Sequence, residues 1–360
     1  MKLIIQPGDG VERLIKGIRK AKKSVEIVIF RFDRPEIERA LADAVERGVL
    51  VHALIAFTNK GGEAYLRKLE MRFLGTGITV ARTAGDLVRY HGKMMIIDRK
   101  ELFLLAFNFT HLDIERSRSF GVVTRNPKIV ADAVRLFEAD TKRQDYAAGS
   151  NKFLVSPVNA RKELGKFIRG AKKELLIYDP KISDRAMLRI LEERRKAGVD
   201  VRVIGKVVGD RLPACGLKRM RLHTRSIIRD RKDVFMGSQS LRQLELDGRR
   251  EIGIIFREAS ITKEMVRVFE EDWLSSSRDK EKTKKAGVGV TKNSVKKVAQ
   301  KVAKRIPVGP VAKKVAKVIS KNANVDLDGK RIHETVKEIV KDVVQETAKK
   351  AAVEAAKSVA

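Results

Sequence analysis

One half of this chain repeats the other, and a chain that contains itself is held to a fold that can be built twice. The stretch IKGIRKAKKSVEIVIFRFDRPEIERALADAVERGVLVHALI (15–55) lines up with LGKFIRGAKKELLIYDPKISDRAMLRILEERRKAGVDVRVI (164–204). Ala21-Lys22-Lys23 faces Ala171-Lys172-Lys173 and Gly48 faces Gly198, both 150 residues apart. Each copy reads as helix, apolar strand, a turn with Asp and Pro, amphipathic helix, glycine stop and second apolar strand. Asp33-Arg34-Pro35-Glu36 and Ser183-Asp184 offer short polar side chains that cap a helix start. Strands alternating with helices predict an α/β fold of mostly parallel sheets with helices on their faces.

A second repeat follows. Tyr90–Asp98 reads YHGKMMIID, and Leu222–Asp230 reads LHTRSIIRD. His91, Lys93 and Asp98 thus face His223, Arg225 and Asp230 at an offset of 132, so the first half carries about 18 extra residues. The stretch 57–77 holds that insertion, as a loop or short helix at the entrance of a site. On a strand, residues i and i+2 share a face, which sets His91 beside Lys93 above an apolar run. An imidazole beside an ammonium suits an anion that needs both charge neutralisation and proton transfer, and phosphate is the obvious one. Six residues beyond each aspartate come LAFN (105–108) and GSQS (237–240), turns that return polar groups towards the histidines.

The charge balance agrees. The 360 residues hold 78 Lys and Arg against 46 Asp and Glu, a formal net of +32. Such an excess draws polyanions: nucleic acid, anionic lipid surfaces or acidic partners. A single cysteine, Cys215, excludes an intramolecular disulfide and a multi-cysteine zinc site, and reads as a small filler beside Pro213. The five histidines are scattered and no Asp/Glu cluster sits at ligand spacing, so neither metal nor cofactor is expected. No apolar run approaches the ~20 residues of a membrane span, and MKLIIQPGDG meets Gly and Pro too soon for a secretory signal. The expected location is the cytoplasm, with any membrane role peripheral.

With these motifs in hand, residues 10–275 resemble the phospholipase D superfamily, whose signature H-x-K-x4-D-x6-G-S-x-N usually occurs twice. The resemblance implies a two-lobed α/β fold, here 1–148 and 149–277, whose motifs meet across a pseudo-two-fold axis in one metal-independent site. It implies a covalent phosphohistidine released by water or an alcohol. His91, Lys93, Asp98 and Asn108 match the first motif, with Leu105 and Ala106 in place of Gly-Ser. His223, Asp230, Gly237 and Ser238 match the second, with Arg225 for lysine and Ser240 for asparagine. Glu251 fits the acidic residue that orients a catalytic imidazole. Its first-half equivalent is Ser119, with Glu115 the nearest acidic candidate.

The residues support that chemistry on their own terms. Breaking a phosphodiester needs a nucleophile, a proton for the leaving alkoxide and donors for the phosphoryl oxygens. The resemblance, with its first-copy nucleophiles, implies His91 as nucleophile and His223 as general acid, the reverse staying open. Lys93 and Arg225 flank the phosphate, Arg225 as a fixed two-pronged fork. Asn108, Ser238 and Ser240 donate to its oxygens, while Asp98 and Asp230 brace the lysine or the backbone. His52 and His111 read as structural, and Val266, Phe269 and Trp273 pack a terminal helix onto the second lobe.

From about residue 278 the composition turns to a linker and a Lys/Ala/Val-rich helical tail, with 22 Lys and Arg against 9 Asp and Glu, a net of +13. Its apolar face is shallow, rich in Val and Ala, and of Phe, Trp, Tyr and Leu the tail holds only Leu327, so charge-driven docking on a polyanion is favoured over insertion. Three functions compete. One is a phospholipase D-type enzyme hydrolysing or transphosphatidylating phospholipid at an anionic membrane surface. The others are a nuclease gripping the nucleic-acid backbone, and a non-catalytic phosphate-binding scaffold. Two motifs in one chain favour lipid.

Overall fold

The computed structural model of the protein describes residues 1–57, 63–83, 85, 87–209, 212–217 and 219–286, the side chains of 63–64 and 277–286 excepted. The expected linker and tail beyond 286 lie outside these residues. Residues 1–278 form one compact unit.

Within that unit the first half runs β1 (Lys2–Gln6), α1 (Glu12–Lys20), β2 (Ser24–Ile29), α2 (Pro35–Glu46), β3 (Leu50–Ile55) and α3 (Glu63–Gly75). It continues with β4 (Thr79–Arg82), β5 (Arg89–Tyr90), β6 (Met94–Ile97), β7 (Glu101–Leu105), α4 (His111–Glu115), β8 (Ser117–Thr124) and α5 (Pro127–Lys142). The second half runs β9 (Phe153–Val155), α6 (Ala160–Arg169), β10 (Glu174–Ile182), α7 (Arg185–Lys196), β11 (Asp200–Val207), β12 (Ala214–Cys215) and β13 (Arg221–Leu222). It ends with β14 (Arg225–Arg229), β15 (Asp233–Gly237), α8 (Gln243–Asp247), β16 (Arg249–Arg250), β17 (Ile252–Phe256) and α9 (Ala259–Ala286).

The duplication is visible in the strand order. One sheet runs β1-β8-β7-β6-β2-β3-β4, and the other β9-β17-β15-β14-β10-β11-β12, the same path built twice. The expected parallel pairing holds on one side of each sheet, β2-β3-β4 and β10-β11-β12. The other side is antiparallel, because the motif segments are hairpins and not crossovers. Their turns carry positive φ at two successive residues, Asp98 (52°) and Arg99 (53°), and Asp230 and Arg231 (both 53°). Two left-handed residues in a row are what a tight two-residue hairpin demands. Arginine gains nothing from that conformation, so something must hold it. Asp98 accepts the amides of Lys22, Lys23 and Ser24, and Asp230 those of Lys172, Lys173 and Glu174.

The extra residues of the first half form α3, which buries Leu66, Leu69 and Phe73 against the outer helices of its own half. The expected caps divide. Asp184 caps α7 by accepting from Met187 N, whereas α2 starts on Pro35 after an uncapped Arg34, and Asp33 accepts from His111 N. Each sheet has its own outer core, and a third core joins side chains of both sheets with α5 and α9. As expected, Val266 and Phe269 are buried there, and Trp273 stacks on Phe269. Cys215 is buried on β12, and His52 lies edge-on to Phe137.

Two short parallel ladders stitch the halves. Arg249 and Arg250 of β16 pair with Arg89 and Tyr90 of β5, and Arg221 and Leu222 of β13 pair with Ser117 and Arg118 of β8. A buried ion pair clamps each. Arg250 reaches Asp140 of α5 at 3.0 Å, and Arg118 grips Asp272 of α9 with two nitrogens at 2.7 and 3.1 Å. No helix among the described residues is long and apolar enough to cross a membrane.

Candidate active site

Each ladder ends where a histidine begins. His91 follows Tyr90, and its N–H donates to Arg250 O at 2.7 Å; His223 follows Leu222 and donates to Arg118 O at 3.1 Å. Residues 91–93 and 223–224 lie between strands, so the histidines are not on the continuous strand expected. The i, i+2 neighbours still meet: Lys93 Nζ lies 2.9 Å from His91 Nε2. Gly92 makes room for this. A Cβ there would stand 2.4 Å from the Ile252 side chain, which follows Glu251.

Because the ladder sets Arg250 against Tyr90, the next residues, Glu251 and His91, come together from opposite halves. His91 Nδ1 lies 2.8 Å from Glu251 Oε2. An ionised carboxylate only accepts and an ammonium only donates, which places the imidazole proton on Nδ1 and a lone pair on Nε2. Phe30 meets the ring edge-on at 4.7 Å. Burial, with Lys93 and Arg225 adding to it, holds His91 well below the ordinary histidine range. Burial lowers Lys93 from 10.5 to about 7 against the pull of Glu251, and raises Glu251 against the pull of Lys93.

His223 is built differently. The second ladder sets it beside Ser119, and neither His223 Nδ1 nor Ser119 Oγ, both buried, has a hydrogen-bond partner. Its Nε2 instead faces Asp113 Oδ2 of α4 at 3.5 Å. Burial would raise Asp113, but His223, the Asn108 N–H and Arg221 hold it at about 2. Burial lowers His223 well below its ordinary value, with Asp113 opposing and Arg225, Lys93 and Arg221 assisting. Each histidine therefore feels the cation of the other half. They retain 7% and 5% exposure.

The remaining expected residues sort as follows. Arg225 donates to His223 O at 2.5 Å and Ser240 Oγ at 3.3 Å, so its fork is anchored on the protein. Asn108 donates through Nδ2 to Asp113 at 2.6 Å and leaves a buried Oδ1 without a partner. Ser238 Oγ is engaged by the Ile252 backbone. Asp98 and Asp230 lie at the far ends of β6 and β14 from the histidines, where each accepts backbone amides. Glu115 is exposed and pairs with Arg34 and His111. Asp113 and Glu245 were missed. They sit at the same 132 offset, five residues after Asn108 and Ser240, whose backbone N–H groups they accept at 2.9 Å each. Among the described residues no group of three or more His, Cys, Asp or Glu side chains could hold a metal ion.

Residues 14–141 match the family model of the phospholipase D-like domain of cardiolipin synthase. Together with the relatives described next, this match supports the phospholipase D superfamily as the one this chain is similar to. Mitochondrial cardiolipin hydrolase of Danio rerio is 27% identical over 135 residues, which cover 35% of this chain and 56% of that protein. The chain thus spans about half the length of the curated relatives it matches. Two solved structures extend the likeness in fold to about three quarters of the chain. Polyphosphate kinase from Porphyromonas gingivalis has a TM-score of 0.64 at 18% identity, over 76% of this chain and 50% of its own. Phosphatidylserine synthase of Haemophilus influenzae Rd KW20 has a TM-score of 0.56 at 12% identity, over 74% and 83%. At these identities the fold alone is shared.

Proposed function

We propose that this protein cleaves or transfers phosphodiesters through a phosphohistidine on His91, with phospholipid as its substrate. The observation that carries the reading is the His91 environment: Nδ1 tied to Glu251 at 2.8 Å and Nε2 left with its lone pair beside Lys93. That nitrogen attacks phosphorus, the P–O bond to the leaving group breaks, and its electron pair goes to the departing oxygen, which takes a proton from His223. Water or an alcohol then forms the new P–O bond, returns a proton to His223, and the P–N pair goes back to His91. A bound phosphodiester anion supplies the charge that lets His223 take up its proton in this buried setting. Lys93 neutralises the phosphoryl oxygens, the kind of contribution worth about 2.7–4 kcal/mol when one donor is removed.

The lipid substrate rests on the cardiolipin-hydrolase relatives and on two motifs in one chain. The net charge of +32 supports the alternative of a nucleic-acid phosphodiester. Arg225, Ser240 and Ser119, where this chain departs from the family pattern, together with Leu105 and Ala106, support a non-catalytic phosphate binder. Vesicles of phosphatidylglycerol or phosphatidylcholine, and separately single- and double-stranded DNA, incubated without divalent metal, decide among them. Phosphatidic acid release with a trapped phosphohistidine is the expected result. DNA fragments would move the substrate to nucleic acid, and binding of both without product would remove the enzyme.

A further inference from the structure

The two ladders are equivalent, yet their third positions are not. Glu251 stands against His91 on one; Ser119 stands against His223 on the other. A carboxylate is missing there, and its absence leaves two buried polar atoms, His223 Nδ1 and Ser119 Oγ, without partners. Buried polar groups without partners are rare enough to call for an explanation. One lies a turn away. Asp113 Oδ2 approaches the other ring nitrogen of His223 at 3.5 Å. It is held there by Asn108 N at 2.9 Å, by Asn108 Nδ2 at 2.6 Å and by Arg221, while Thr110 caps its own N–H. Its counterpart Glu245 is engaged by Arg242 and Arg249, at 3.2 and 3.3 Å, and by Ser240 N.

We propose that Asp113 takes over for the carboxylate missing at position 119, positioning His223 and supplying the negative charge that lets it hold a proton on Nε2 for the leaving alcohol. This rests on the phosphodiesterase reading of the same site. Asp113 is a positioning residue and acts through His223. Around that ring stand Asp113 from α4, Arg221 from β13, Arg225 from β14 and Lys93. Asp113 is the anion among them, so its removal leaves three cations facing one imidazole. The Nε2 proton lies between Asp113 and the departing oxygen. As the P–O bond breaks it moves to that oxygen, and His223 is left neutral.

Two measurements test this on the full-length protein. The first needs no turnover. Histidine NMR titration of Asp113→Asn should move the His223 midpoint down by about one pH unit or more, and Ser119→Glu, with Asp113 intact, should move it up. The second compares leaving groups. Asp113→Asn should lower kcat on phosphatidylglycerol vesicles at least about 100-fold, but lower that on bis(p-nitrophenyl) phosphate, whose leaving group departs without a proton, by only a few-fold. Adding Ser119→Glu to Asp113→Asn should restore most of the vesicle activity. An unchanged His223 midpoint in both variants, or equal losses on both substrates without rescue, would overturn the proposal. A wild-type protein that turns over neither substrate but shows the NMR changes would retain the Asp113–His223 coupling and discard the enzyme.

Discussion

Lys93 offers the sharpest test of how this site is balanced against stability. It is 1% exposed, and burial takes it from its ordinary 10.5 to about 7. The folded value lies below the unfolded one, so between about 7 and 10.5 the unfolded chain holds more protons than the folded one. The fold is therefore penalised by an amount that is full below about 7 and vanishes above 10.5. A gap of about 3.5 pH units at about 1.4 kcal/mol each makes the full penalty about 5 kcal/mol, and about 4 at pH 7. Lys93→Met removes it while keeping a long unbranched side chain. Part of the gain is lost because Glu251 loses its ammonium, though His91 Nδ1 still donates to that carboxylate. The net expectation at pH 7 is a variant more stable by about 1–3 kcal/mol, with kcat down about 100- to 1,000-fold. Urea unfolding from pH 6.5 to 10 measures both the sign and the slope: the advantage should shrink steadily as pH rises. A variant less stable than wild type at pH 7, or an advantage flat in pH, would refute the reasoning and mean that Lys93 is well solvated as a cation inside the fold.

Other outcomes follow from the same contacts. In Asp272→Asn the Arg118 guanidinium loses its buried counter-charge on the β13·β8 ladder, which should cost about 3 kcal/mol in denaturant unfolding. Asp98→Ala strips three backbone amides of their acceptor and should lower stability with kcat changed less than about two-fold, since the turn is remote from the histidines. As pH rises through about 7, kcat/KM should fall because free-enzyme Lys93 loses its proton; a rate profile flat from pH 6 to 9 would contradict this. With bis(p-nitrophenyl) phosphate, His223→Asn should accumulate phosphohistidine and His91→Asn should form none, detected by phosphate-specific mass spectrometry. Removing residues 279–360 should flatten the salt dependence of binding to anionic vesicles while turnover of a small soluble phosphodiester survives.

Much of this was legible in the sequence because the repeat fixes spacing, and spacing within a hairpin fixes geometry. His91 to Asp98 spans a strand and its tight turn, so its copy at His223 to Asp230 must place a histidine likewise. The aspartate's task was harder to read. Asp98 and Asp230 belong to the motif, yet the hydrogen bonds that explain them go to amides some 75 and 57 residues away in sequence. Mostly parallel sheets were expected from the helix–strand alternation of 15–55, which describes one side of each sheet. The carboxylate beside His223 depended on two things no pattern states: the register of the β13·β8 ladder, and which residue of the five in α4 points inward. Glu115 was the nearest acid in sequence, but Asp113 is the buried one. The shared 132 offset of Asp113 and Glu245 was the available signal.

A duplicated fold by itself delivers two equal histidines, and a two-step transfer needs two unequal ones. The differences gather around His223. His91 has lysine two residues on and glutamate across its ladder; His223 has arginine and serine in those places. Lysine at about 7 can give up its charge near neutral pH, whereas a guanidinium keeps its own. A permanent cation beside His223 weakens that ring's hold on a proton, which makes it the stronger acid once a phosphate anion has loaded it. In the proposed reaction, the glutamate across the ladder from His91 would stabilise the positive charge that builds on the ring as its Nε2 bonds to phosphorus. Divergence between the copies therefore runs in the direction the proposed reaction asks for: a braced imidazole to attack, and a less basic one to release its proton.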